Sequence, residues 1–176
     1  MENGERPLLK MVLGEASIRR RLKKFFRDSK KATLIGVGNI LRRDDALGIE
    51  VIKEVKKRVG ESDMILMIES HTTPENYFGL LEQEKPSHIL FIDAADAHFN
   101  PGTLLLTDIE SAEGLAVSTH SIPLSVYGEF IHTLIKTKIL FFGIQPGDIS
   151  FGEGLTPEVK TGIERAADIL ASSLPS

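Results

Sequence analysis

The sequence predicts a single three-layer α/β/α domain with a five-stranded, mainly parallel sheet, preceded by an N-terminal basic amphipathic helix. Two observations carry that expectation. Apolar runs of strand length alternate with segments of helical period from residue 32 onward. The 176 residues suffice for one domain with a substantial core, and no repeat or low-complexity linker divides them.

The elements follow in order. Residues 18–31, "IRRRLKKFFRDSKK", hold eight Lys/Arg against one Asp, with Ile18, Leu22, Phe25 and Phe26 at helical spacing. The remainder of the chain carries 13 basic and 24 acidic residues, so the helix's apolar stripe is expected to dock on an acidic body. Contact of its basic face with a membrane surface, nucleic acid or an acidic partner is the other reading. "ATLIGVG" reads as a buried strand, and residues 45–59 as a helix with Val51, Ile52, Val55 and Val59 on one face. "MILMIES" is a second strand, and Pro74 opens a helix to about Glu84. "HILFID" is the third strand and "GTLLLTD" the fourth. The "NPG" turn between them is too short for a crossover helix, so the fourth strand runs antiparallel to its predecessor. A helix over 123–136, the strand "KILFFGI", and a last helix capped by Thr156 and Pro157 complete the chain. Residues 1–31 are thus an N-terminal extension and residues 32–176 the α/β domain.

Composition excludes several chemistries. Without cysteine there is no thiol catalysis, disulfide or thiolate metal site. No apolar run reaches the length of a membrane span and no signal peptide precedes the fold, so the expectation is a cytoplasmic protein without a direct membrane span. Neither nucleic acid binding nor an oligomer is expected; the chain reads as a monomer with formal charge −4.

The stretch "TLIGVGNILRRDDALG" raises the functional question. Its "GVGNIL" supplies two glycines of a dinucleotide fingerprint, with Glu69 at the end of the second strand in the place of a ribose-binding acid, but Leu41 stands where the third glycine belongs. Asp44 and Asp45 already occupy the helix entrance. A phosphate about 4 Å from either would meet roughly 1–4 kcal/mol of repulsion per charge pair. Nucleotide binding is therefore disfavoured. One aspartate is explained as a helix cap, Asp44 being the natural choice, which leaves Asp45 for a cation at the sheet's C-terminal edge. Other polar residues end at strand termini there: Asp93 in "FIDAAD", Glu69 and His71 in "IESHTTPEN", Gln145 in "GIQPGD", and His120 in "STHSIPL". Two carboxylates and an imidazole suit a borderline divalent ion such as nickel or zinc with open positions left over. Each residue also has a structural explanation, as a loop tie, a helix cap or a solvent-exposed side chain. Asn39 is either an amide donor to a substrate oxygen or a turn residue, the latter being preferred.

Four segments, "GVGNILRRDDALG", "FIDAADAHFNPG", "STHSIPL" and "FFGIQP", resemble in order those of the [NiFe]-hydrogenase maturation endopeptidases, and the resemblance runs from about Thr33 to Leu174. "TPEN" and "GIQP" look closest to members that process hydrogenlyase-type hydrogenases. The resemblance implies an enzyme that removes a C-terminal tail from the precursor of the hydrogenase large subunit once nickel has been inserted. It implies that Asp45, Asp93 and His120 are both the catalytic and the metal-contacting residues. The nickel would arrive with the substrate, with another divalent cation such as zinc as the alternative occupant. Ala46 replaces a glycine frequent after the acidic pair, and His71 replaces a smaller residue. A non-enzymatic nickel-binding checkpoint protein is the other function compatible with the same three residues.

Overall fold

The computed structural model describes residues 11–117 and 122–175. The five expected strands form as β2 (Ala32–Val37), β3 (Ile65–His71), β4 (His88–Ala94), β5 (Leu104–Asp108) and β6 (Lys138–Ile144). A sixth, β1, is the two-residue strand Val12–Leu13, which pairs antiparallel with β5. The sheet order is β1-β5-β6-β4-β2-β3, with β2, β3, β4 and β6 mutually parallel. β5 does run opposite to β4, as the short "NPG" turn requires, but its hydrogen-bonded neighbour is β6.

Helices α1 (Glu15–Phe26), α2 (Leu47–Val59) and α5 (Pro157–Ala171) cover one face of the sheet. Helices α3 (Phe78–Glu84) and α4 (Leu124–Ile135) cover the other. Alternation along β4 shows how one strand feeds both layers: Leu90, Ile92 and Ala94 point to the α1/α2/α5 face, and Ile89 and Phe91 to the α3/α4 face. Central strands apolar on both faces are what a doubly covered parallel sheet demands.

Ile18, Leu22 and Phe26 of α1 are buried in the first of these cores, so the basic helix uses its apolar stripe to join the body. Beneath its end, the buried His88 stacks edge-on against Phe25 at 4.8 Å between ring centroids. On the opposite layer, the Tyr127 hydroxyl donates to the Pro74 carbonyl at 3.1 Å, tying α4 to the turn after β3. Burial, helped by the nearby Glu75 carboxylate, pushes that phenol up to about 12 and keeps it a neutral donor.

The strand order places the site. From β2 the chain moves outward to β3, then crosses back over β2 to β4 and on toward β6. The crevice between the C-terminal ends of β2 and β4 is therefore a topological switch point, where open α/β sheets bind ligands.

Candidate active site

Helix α2 is seated directly on that crevice. Gly48, in its first turn, has no room for a side chain: a Cβ there would lie 2.2 Å from the Val37 carbonyl oxygen and 2.3 Å from that of Ile92. These carbonyls lie at the end of β2 and two residues before the end of β4, so only glycine lets the helix backbone rest on both strands there. The preceding single turn of 3-10 helix, Arg43–Ala46, carries the two aspartates. Asp45, three residues before Gly48, is 3% exposed; Asp93, one residue past Ile92, is fully buried. The elements that bear these two buried aspartates thus meet at one strand-end crevice. Asp93 Oδ1 accepts the N–H of Ala94 at 2.8 Å, which orients the group locally.

Asp44 has a different task. It does not cap α2, whose start makes no side-chain cap bond. Its carboxylate accepts from the N–H groups of Gly147 (2.8 Å), Asp148 (2.8 Å) and Thr156 (2.7 Å) and from the Thr156 hydroxyl (2.8 Å). Thr156 stands at the N-cap of α5 as expected, yet its hydroxyl is directed to Asp44 rather than to its own helix. One aspartate of the pair therefore locks the β6–α5 loop.

The other strand-end polar residues separate in the same way. Gln145 is structural: its Oε1 accepts from Ala97 (2.8 Å) and Phe99 (3.2 Å) N–H groups, and its Nε2 donates to Asp96 (3.1 Å). That amide, with the His98 N–H, holds the Asp96 carboxyl below its ordinary range. Glu69 is drawn outward into a 2.8 Å ion pair with Lys56. His71 is exposed at the end of β3, with φ 53, and its carbonyl accepts the Gly38 N–H at 3.0 Å. Asn39 Oδ1 accepts the N–H of Leu41 at 3.0 Å, the turn role. His120 lies outside the described residues, and among the described residues no three His, Asp or Glu side chains are placed to hold a metal.

What sequence reasoning missed is Gly48, and a signal for it was present. A glycine inside the first turn of an amphipathic helix costs about 1 kcal/mol against alanine, so its presence implies a close approach.

Fold and crevice together define an α/β protein with two buried aspartates on elements that meet at the switch point of its mainly parallel sheet. The family model of HycI, the hydrogenase maturation proteases, matches residues 49–173, and the chain belongs to that family of endopeptidases. Asp93 and His120 fall within the matched span and Asp45 just before it. The crystal structure of the [NiFe] hydrogenase maturation protease HycI from Thermococcus kodakarensis is 29% identical. It superposes with a TM-score of 0.79 over 88% of this chain and 98% of that one. The hydrogenase 3 maturation protease of Escherichia coli is 28% identical over 132 residues, covering 74% of this chain and 83% of that protein. The delta subunit of coenzyme F420 hydrogenase from Methanothermobacter thermautotrophicus is 30% identical over 149 residues, 80% of this chain and 92% of that one. The family resemblance carried by the four segments is borne out, and with it the expectation of a peptidase.

Proposed function

We propose that this protein removes the C-terminal tail of an immature [NiFe]-hydrogenase large subunit after nickel insertion, and that Asp45, Asp93 and His120 contact the nickel carried by that substrate. The observation that carries the proposal is that Asp45 and Asp93, both buried, stand on separate elements that meet at one switch-point crevice. Support for the third member comes from its neighbours in the chain. Ala116 bridges to Ala95, and the Val117 N–H donates to the Ala94 carbonyl at 3.1 Å. The chain therefore leaves the residue next to Asp93 only three residues before His120, a reach of at most about 10 Å. Asp93 also alternates onto the α3/α4 face of the sheet, the layer to which the chain returns at Leu124.

The chemistry follows from the donor set. Two carboxylates and an imidazole bind a borderline divalent ion and leave coordination positions open. An ion there polarises the scissile carbonyl and acidifies an attacking water. Without it, two carboxylates repel the developing oxyanion, so an unloaded precursor is spared. Nickel thus serves as the signal that licenses cleavage.

The test is precursor processing by Asp93→Asn and His120→Ala proteins. Both should stay folded by circular dichroism and yield no shortened subunit. A folded His120→Ala protein that processes at the wild-type rate would remove it from the set.

A further inference from the structure

Two loops at the mouth of the crevice carry apolar side chains that the fold itself does not use. Phe151 is 80% exposed, Leu41 51% and Ile40 49%. They are brought together by backbone pairing: the Gly152 N–H donates to Leu41 O at 2.8 Å and the Arg43 N–H to Gly152 O at 3.0 Å. The Asp44 N–H donates to Asp148 O at 3.0 Å, and Arg42 Nε to Ile149 O at 3.1 Å. Below these ties sits the Asp44 carboxylate with its four donors. The apolar residues therefore stand on a stiff platform.

The platform is also the site's own wall. The Asn39 N–H donates to Asp45 O at 3.1 Å and the Asp45 N–H to Arg42 O at 2.9 Å, which closes residues 39–45 into a small loop. Ile40 and Leu41 are at its tip and Asp45 at its base. Any polypeptide laid across Asp45 has to pass this tip.

We infer that Ile40, Leu41 and Phe151 form a docking rim that takes up an apolar segment of the substrate polypeptide beside the bond being cut. The inference rests on the proposed function, because the occupant is the precursor of that reaction. Exposed aromatic and aliphatic side chains grouped on a rigid support are typical binding anchors, since little freedom is lost when they are covered. A second copy of this chain is the competing occupant. The position argues against it, because a copy seated on the rim would obstruct Asp45. The two cations beside the rim are already engaged: Arg43 lies 3.4 Å from Asp148, and Arg42 is tied to a carbonyl. Docking is consequently driven by apolar burial and should be little weakened by salt.

The experiment compares wild-type protein with Phe151→Ser and with the double variant Ile40→Ser/Leu41→Ser. Met64→Ser serves as the control, since Met64 is an exposed apolar residue just before β3, at the opposite edge of the sheet. Processing kinetics of nickel-loaded precursor and its direct binding are both measured, at low and high salt, with melting temperature and sedimentation alongside. Each rim variant should raise KM and Kd about tenfold, with kcat within about twofold and the melting temperature unchanged. Met64→Ser should match wild type. A wild-type enzyme that cuts precursor while both rim variants keep its KM overturns the rim and leaves the proposed function standing. Rim variants that merely convert a dimer to a monomer at unchanged KM also overturn it, in favour of a second copy. Wild-type protein that binds precursor without cutting it overturns the proposed function, while the Kd comparison still decides the rim. Wild-type protein that neither binds nor cuts overturns both.

Discussion

Asp44→Ala separates the two adjacent aspartates by their tasks. The wild-type carboxylate is fully buried and accepts four hydrogen bonds of 2.7–2.8 Å, three from backbone N–H groups and one from a hydroxyl. Each bond to a charged acceptor contributes about 1.5–3 kcal/mol, and each donor left unsatisfied costs about 1–3 kcal/mol. Simple addition would overshoot. The four donors act as one unit, and Gly147 is exposed, so water can reach part of the vacated space. The expected loss is about 3–5 kcal/mol, which for a domain of this size lowers the melting temperature by roughly 6–20 °C. Urea unfolding followed by circular dichroism measures it. Asp44→Asn should lose less, because its amide oxygen still accepts while its NH2 group faces donors. A loss under about 1 kcal/mol for Asp44→Ala would refute the reasoning. So would an Asp44→Ala protein of normal stability that no longer processes precursor, since Asp44 would then belong to the site.

Three further outcomes are expected. Burial holds the His88 imidazole below its ordinary 6.5, Lys138 adds to this, and Asp28 opposes it, with His88 Nε2 3.4 Å from Asp28 Oδ1. The native state therefore binds fewer protons than the unfolded one. Its contribution to stability is complete above the unfolded-state value and is lost as pH falls through the folded one, so urea midpoints should drop as pH falls below about 6.5, and less in His88→Phe. Leu22→Ala should cost about 2–5 kcal/mol, because Leu22 is fully buried between α1 and the body; an unchanged urea midpoint would mean that α1 is a detachable arm. Protein purified without added metal should hold far less than one equivalent by elemental analysis, with divalent ions binding weakly and less tightly as His120 becomes protonated; one tightly held zinc required for activity would mean a resident catalytic metal instead.

The main architecture was legible because it rests on local pattern. Continuous apolar runs of strand length and period-3.6 spacing of apolar residues mark the long elements, and the stripe of Ile18, Leu22 and Phe26 announces the docking of α1. What escaped depends on distant parts of the chain. β1 has two residues and exists only because β5 offers an edge, so no periodicity could announce it. The length of the "NPG" turn set the direction of β5, but its neighbour β6 lies more than thirty residues on. Asp44 and Asp45 are chemically identical in sequence. Their division of labour appears only when the loop before α5 folds back onto one of them. Glu69 looked like a pocket acid until Lys56, on α2, drew it outward. The sequence placed Asp93 at a strand end and Asp45 at a helix entrance, and α2 resting on Gly48 brings their elements to one crevice.

On the proposed function, nickel on the substrate is what licenses cleavage. The most direct measurement is the fraction of precursor shortened by wild-type protein when matched samples are supplied with and without inserted nickel, both with the enzyme stripped of metal. Licensing by nickel predicts cleavage of the loaded precursor alone, with nickel-free precursor cut at least about a hundredfold more slowly, the scale of losing a principal charge-stabilising group. Equal cleavage of both samples by metal-free enzyme would contradict it.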